Sequence, residues 1–232
     1  MKKEENQYTV KFIGHIRSDF SEKFGIPRQS GLVDELRAAV VLQPEYRAPA
    51  AFRGIEGFSH LWLVWQFSQA VRSGWSPTVR PPRLGGNTRM GVFATRSPFR
   101  PNAIGLSCVR LVELRQDPEL GPVLIVAGAD LLDGTPILDI KPYLPHADCR
   151  PEATGGFAAP LVEKALAVEC GETLLQRLPA EKRAALLAVL AQDPRPAYQD
   201  DPGRIYGFGF AGFEVKFTVE DGILTVRDIA AP

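Results

Sequence analysis

Apolar and polar positions alternate over residues 8–17, where Val10, Phe12 and Ile16 are set against Thr9, Lys11 and Arg17. A period of two predicts a half-buried strand. Residues 25–31 place Pro27 between two glycines and predict a loop. Residues 36–42 are apolar and partly β-branched up to Pro44, and residues 60–67 are aromatic and β-favouring, so both predict strands. Further strands are predicted at 90–94, 104–114 and 123–131, separated by Pro/Asn and Gly/Pro punctuation, while Pro81, Pro82, Gly85 and Gly86 mark an irregular connection. Short strands at this density, with little helix between them, predict a mainly β fold, a barrel or sandwich rather than alternating βαβ units.

The pattern changes after Tyr143. Residues 145–160 hold three prolines and two glycines and predict a linker. Leu166, Val168 and Cys170 alternate, so 164–170 fit a strand, with helix as the alternative. Residues 172–178 and 180–191 predict helices, the second carrying a stripe of Leu186, Leu187 and Leu190 and stopped by Pro194 and Pro196. Strands follow at 204–210, 213–219 and 223–227. Asp221-Gly222 between the last two is a hairpin signal, because a type I′ turn needs positive φ at both central residues. The chain thus divides into a β-rich domain, a barrel or sandwich, over 8–148 and a C-terminal α+β domain over 161–230. The second is close to the size at which a lone core becomes marginal, so it leans on the first domain or on a partner.

Composition narrows the class. With 232 residues, 45 % hydrophobic and 23 % charged, the chain is ordinary for a globular protein. No apolar run approaches the ~20 residues of a membrane span, so no membrane partner is predicted. The Met1-Lys-Lys-Glu-Glu-Asn6 start has no apolar core of a signal peptide, and three widely spaced cysteines do not form a disulfide scaffold. The expected compartment is cytoplasmic.

Charge changes the picture more. The chain is formally neutral, with 27 basic and 27 acidic side chains, yet Gly57 to Val112 contains no acid and no lysine. It contains seven arginines: Arg72, Arg80, Arg83, Arg89, Arg96, Arg100 and Arg110. An even spread would place about six acids there, so the charge is segregated. Arginine without lysine favours planar recognition of phosphate or carboxylate.

Two constellations carry candidate chemistry. In Arg96-Ser-Pro-Phe-Arg-Pro-Asn102 two prolines restrict the backbone, so Arg96 and Arg100 are held on a shaped loop that binds an anion with less entropy lost. Asn102 adds an amide, and the competing interpretation is a rigid surface turn with solvated arginines. In residues 130–143, Asp130 ends an apolar strand, Asp133-Gly134 makes a tight turn, and Asp139 follows in the next strand. Carboxylates at a strand end accept paired ribose hydroxyls or hold a cation, and the bland alternative is an Asp-Gly turn that satisfies its own amides. Gly207-Phe-Gly-Phe-Ala-Gly212 matches G-x-G-x-x-G in letters only, since the residues after it alternate as a strand and no helix opens there. His15, His60 and His146 lie far apart without metal-ligand spacing, so no metal is predicted, and there is no nucleophile elbow.

At these residues the chain resembles the TsaA-like, or TrmO, family of tRNA methyltransferases. The resemblance rests on Phe12-Ile-Gly-His-Ile-Arg17, Ile26-Pro-Arg-Gln29, Phe58-Ser-His-Leu-Trp62, Arg80-Pro-Pro-Arg-Leu-Gly-Gly-Asn87, Gly91-Val-Phe-Ala-Thr-Arg96, Phe99-Arg-Pro-Asn102, Asp133-Gly-Thr-Pro136, Asp139-Ile-Lys-Pro-Tyr143 and Asp193-Pro-Arg-Pro-Ala-Tyr198. It covers nearly the whole chain, including the appended C-terminal domain, for which tRNA contact is a candidate role. It implies a β-barrel methyltransferase that uses S-adenosylmethionine without a Rossmann fold. It implies a homodimer with active sites near the subunit interface. The implied substrate is N6 of N6-threonylcarbamoyladenosine at position 37, in the anticodon loop of tRNA. The matching cofactor positions are Arg28, Gln29, Ser30, Ser68, Gln69, Arg96, Leu106, Asp130, Leu131, Leu132 and Asp133. Relatives commonly carry His where this chain has Ser68, and Ala103 replaces a frequent Pro. Arg83, Arg89, Arg100 and Asn102 are the candidate contacts to tRNA, and Asp133 and Asp139 are the candidate proton acceptors. The alternatives are a tRNA-binding adaptor without chemistry and an enzyme of phosphorylated small molecules.

Overall fold

The computed structural model describes residues 8–71, 74–81, 84, 87–158, 165–195 and 201–231. The N-terminal part contains β1 (Gly14–Arg17), β2 (Arg37–Leu42), β3 (His60–Gln66), the short β4 (Thr78–Val79) and β5 (Met90–Gly91), then β6 (Ile104–Asp117), β7 (Gly121–Ala127) and β8 (Pro136–Pro142). Six of these close into a barrel in the order β1-β2-β7-β6-β3-β8, every neighbouring pair antiparallel. Strand β8 returns to β1 through Gly14 opposite Ile137, so the barrel leaves no free sheet edge. β4 and β5 pair with each other as a separate ribbon.

Alternation decides what faces inward. Ile16, Val40, Leu61, Leu63, Trp65, Val109, Leu124, Val126 and Ile137 fill the barrel, each on the inner side of its strand. On β6 the inward row is Gly105, Ser107 and Val109, so a buried hydroxyl enters an apolar interior.

The C-terminal part follows the short helix α1 (Pro145–Asp148). It contains β9 (Ala167–Glu169), α2 (Glu172–Leu175), α3 (Ala180–Ala191), β10 (Tyr206–Phe210), β11 (Phe213–Glu220) and β12 (Ile223–Ala230). The sheet order is β10-β11-β12-β9, antiparallel except for β12 with β9. Leu186, Val189 and Leu190 of α3 pack on Phe208, Phe210, Phe217 and Leu224. Asp221 (φ 48°) and Gly222 (φ 77°) make the expected two-residue turn. Ala211-Gly212 joins β10 to β11 in the same way, so a strand follows the glycine-rich run and no nucleotide-binding helix exists there.

The two cores meet through the loop between β1 and β2. Phe20, Val33 and Leu36 belong to the C-terminal core, and Phe20 meets Phe210 edge-on at 5.7 Å. Each such buried side chain contributes about 1.5–3 kcal/mol. Lys182 Nζ reaches both oxygens of Asp19 at 2.6 and 2.7 Å, and the Ala211 N–H donates to Asp19 O. Gly25 passes so close that a Cβ there would lie 2.3 Å from the Phe208 ring.

The mainly β barrel with an α+β appendage is as the sequence predicts, and several element limits differ. The expected strand over 8–17 is regular only from Gly14 to Arg17, and 172–178 is helical only to Leu175. Residues 90–94 form a two-residue strand and then one tight turn over Val92–Ala94. The expected strand over 123–131 stops at Ala127, because Gly128 takes φ 74° and exchanges hydrogen bonds with Leu36 O and the Gly31 N–H. That break frees residues 129–132 from the sheet. Residues 161–164 of the expected C-terminal domain lie outside the described residues.

Candidate active site

The freed segment after β7 forms one wall of a pocket of about 220 Å³ at the barrel end. The wall residues are Asp130, Leu131 and Leu132, and the facing wall is the end of β3 and its continuation, Trp65 to Ala70. Ile26, Pro98, Thr135 and Lys23 complete the lining. Phe67 stands 4.2 Å from Trp65 between ring centroids, edge to face, so the chamber is largely aromatic and aliphatic. Asp130 is its only carboxylate.

A chain of hydrogen bonds positions that carboxylate. The Trp65 indole N–H donates to Ser107 Oγ at 2.9 Å, and the Ser107 hydroxyl donates to Asp130 Oδ1 at 2.6 Å. Burial pushes the Asp130 carboxyl above its ordinary range. The Ser107 bond, backbone bonds at Asp130 and Ser30, and the positive charge of Arg96 pull the other way without prevailing. Arg96 donates to the Gln29 side-chain carbonyl, and Ser30 Oγ accepts the Cys108 N–H at 3.1 Å. Gln29, Ser30, Arg96 and Asp130 therefore meet at one place, beside Ser68, Gln69, Leu131 and Leu132 in the pocket wall.

Other expected site residues stand elsewhere. Arg28 turns to the C-terminal domain and donates to Arg195 O at 3.2 Å. Leu106 is 54 % exposed on the outer face of the barrel, in register with Val64 and, across β3, with Asp139. Asp133 accepts the Ser18 N–H at 2.9 Å and lines a separate depression with Asp19, Lys182 and Gly212. Asp139 pairs with Lys141 at 2.6 Å and accepts the Ile140 N–H. Neither proton-acceptor candidate lines the pocket.

The arginines also divide. Arg110 is held by Asp34 through two bonds of 3.0 and 2.7 Å. Arg100 donates to Thr95 O at 3.1 Å, and Ser97 and Phe99 N–H groups bond to Thr95 and Ser97 hydroxyls, so the 95–102 loop is held from within. Arg89 is exposed and donates to Thr78 Oγ1 across the β4–β5 ribbon, and Asn102 is exposed at the loop end. Arg72 and Arg83 lie outside the described residues, as does Tyr198 of the C-terminal motif.

Sequence reasoning missed Ser107, Trp65, Phe67, Lys23, Ile26, Pro98 and Thr135. Ser107 gave no signal, since the apolar residues beside it, Ile104 and Leu106, face outward and leave Gly105 and Ser107 on the inner row. The pocket residues from β3 were inside a predicted strand whose end, not its middle, carries the site.

A closed antiparallel barrel with an apolar end pocket and a half-buried carboxylate in its wall is a non-Rossmann barrel with an appended α+β domain. The chain belongs to the TrmO family: the tRNA-methyltransferase O N-terminal domain matches residues 15–149, and the TrmO C-terminal domain matches residues 163–232. It is 48 % identical over 218 residues to the tRNA (adenine(37)-N6)-methyltransferase of Escherichia coli K12, covering 90 % of this chain and 92 % of that protein. A Pseudomonas aeruginosa PAO1 protein with the name S-adenosylmethionine-dependent methyltransferase RcsF is 47 % identical, covering 96 % of this chain and 98 % of its own. The crystal structure of TrmO from P. aeruginosa superposes with a TM-score of 0.78 at 38 % identity over the whole of both chains.

Proposed function

We propose that this chain transfers a methyl group from S-adenosylmethionine to N6 of adenosine 37 in tRNA, on a base already bearing a threonylcarbamoyl group, and that it does so in the cytoplasm as a homodimer. The observation that carries the proposal is Asp130, a carboxylate held by Ser107 at 2.6 Å in the wall of an apolar pocket, in a chain of this family.

The residues present suit the cofactor. Trp65, Phe67, Leu131 and Leu132 offer flat and aliphatic surface to a purine, and Asp130 accepts hydroxyls. Arg96, beside Gln29, presents the guanidinium fork that a carboxylate fits. When bound, S-adenosylmethionine supplies a methyl group on a positively charged sulfur. The part of the chain is alignment and exclusion of water: the internally bonded loop over 95–102 and the apolar pocket wall would orient the bound donor toward the nucleophile. Arg89, exposed on the β4–β5 ribbon, and Asn102, exposed at the end of that loop, present donors to an anionic RNA loop.

The homodimer is supported by the outer face of β3 and β6, where Ile104 (44 % exposed) and Leu106 leave an apolar surface beside Val64. In this arrangement Leu106 serves the assembly of the site through a second copy.

The test is mass spectrometry of tRNA nucleosides after incubation with S-adenosylmethionine. Threonylcarbamoylated tRNA is expected to gain one methyl group, and unmodified tRNA none. No gain on the modified tRNA rejects the function.

A further inference from the structure

Among the exposed aromatic side chains outside both cores, Trp75 and Phe93 lie against each other. Trp75 precedes β4 and Phe93 follows β5, and the ribbon between them brings their rings to 6.1 Å with planes 31° apart. Phe93 is 73 % exposed and Trp75 is 53 % exposed. The pair sits in the segment from 57 to 112 that has no acidic residue. Arg89 reaches Thr78 on the same ribbon, and Arg80 is exposed just beyond β4.

Exposed aromatics beside guanidinium groups, in a segment of the chain without a carboxylate, match one ligand chemistry: an unpaired nucleobase stacked on the rings, with phosphates at the arginines. A paired duplex hides its base faces and offers only phosphate. A protein partner with an acidic rim would meet the arginines, but it would not need two adjacent ring faces. We propose that Trp75 and Phe93 form a stacking platform for one unpaired base of the RNA substrate, with Arg89 and Arg80 on the adjoining phosphates. This rests on the proposed action on tRNA. It adds a positioning surface that acts on RNA placement and not on the methyl donor.

The experiment uses the full chain with an anticodon stem–loop RNA and with a fully paired RNA duplex of the same length. Phe93→Ala and Trp75→Ala are expected to weaken stem–loop binding roughly 5- to 100-fold, the range of one base stack, and to leave duplex binding unchanged. Phe93→Tyr and Trp75→Phe retain a ring and are expected to restore affinity. Stacking carries no counterion release, so the alanine variants keep the wild-type salt slope, whereas Arg89→Ala lowers it by about one. Tryptophan fluorescence of the wild type falls as the stem–loop binds, and Trp75→Phe abolishes that fall. Equal affinity of Phe93→Ala and wild type for the stem–loop overturns the platform, as does an equal loss on the duplex. A change of oligomeric state of Phe93→Ala in sedimentation also overturns it, by assigning the rings to a protein contact. Binding is read without turnover, so these outcomes are distinct from a failure of the wild type to methylate tRNA.

Discussion

Gly105 lies directly opposite Trp65 on the paired strands β6 and β3, and a Cβ on Gly105 would stand 2.3 Å from the indole. The indole can occupy its place only because that position has no side chain. From there its N–H fixes Ser107, and Ser107 fixes Asp130. Gly105→Ala is therefore expected to displace the indole, lower stability by about 1–3 kcal/mol, and weaken S-adenosylmethionine binding at least ten-fold in calorimetry. Gly105→Ala combined with Trp65→Phe relieves the overlap and is expected to recover stability but not the cofactor affinity. Recovery of both would show that the indole N–H has no part in holding Asp130.

Asp130 sets a pH dependence of definite sign. Burial raises its carboxyl pKa in the folded chain, so between the ordinary carboxylate range and the raised value the folded state holds more protons than the unfolded state. Stability from this group falls as pH rises through that window and stays reduced above it. Asp130→Asn keeps an acceptor for Ser107 and removes the buried charge. Its melting temperature is expected to exceed that of the wild type at pH 7, with the gap closing as pH falls to the ordinary carboxylate range. S-adenosylmethionine binding by the same variant is expected to be severely weakened. A lower melting temperature at pH 7 would contradict the sign.

Much of this was legible in the alternation of the chain and some of it was not. The aromatic and β-favouring residues of 60–67 and the punctuation around 104–114 specify strands there, and an Asp-Gly pair specifies the last hairpin. The buried face of β6 was not legible, because the apolar Ile104 and Leu106 face outward while Gly105 and Ser107 face inward. Closure of the barrel was not legible, because it depends on Gly14 meeting Ile137 across more than a hundred residues. The motif over 130–133 joined two carboxylates that the fold separates. Asp130 leaves the sheet at the pocket, whereas Asp133 turns back to the Ser18 N–H. Spacing within a turn does not say on which side of it a side chain emerges. Within the arginine segment, Arg110, which no motif supports, is answered by Asp34, an acid outside the acid-free stretch.

The two other carboxylates of that motif should behave differently from Asp130. Asp133→Ala removes the acceptor for the Ser18 N–H and is expected to cost about 1 kcal/mol, or roughly 2–4 °C in melting temperature. Its kcat and its KM for S-adenosylmethionine are expected to stay near wild type. Asp139→Asn loses only an exposed ion pair with Lys141, so its stability is expected to change by less than about 1 kcal/mol. Its kcat is also expected to hold, since Asp139 is outside the pocket lining. A hundred-fold fall in kcat at unchanged melting temperature would instead bring Asp139 to the substrate from the outer face of a second copy.

The seam between the domains offers a matched pair of substitutions. Gly25 and Gly54 have nearly the same backbone, with φ of 90° and 87°. A Cβ on Gly54 meets nothing within 4 Å, whereas one on Gly25 meets the Phe208 ring at 2.3 Å. Phe208 cannot give way easily, because Phe24, Phe210 and Phe217 all lie within 6.5 Å of it between ring centroids. Gly54→Ala should therefore cost only the left-handed backbone penalty, about 1–2 kcal/mol. Gly25→Ala pays that penalty together with overpacking of about 1–3 kcal/mol. At roughly 2–4 °C per kcal/mol, Gly25→Ala is expected to melt several degrees below Gly54→Ala. The loop that carries Gly25 continues into Gln29 and Ser30 beside Asp130, so Gly25→Ala is also expected to weaken S-adenosylmethionine binding while Gly54→Ala does not. Equal melting temperatures for the two variants would mean that the Gly25–Phe208 seam yields without strain, and that the two domains do not hold the pocket loop between them.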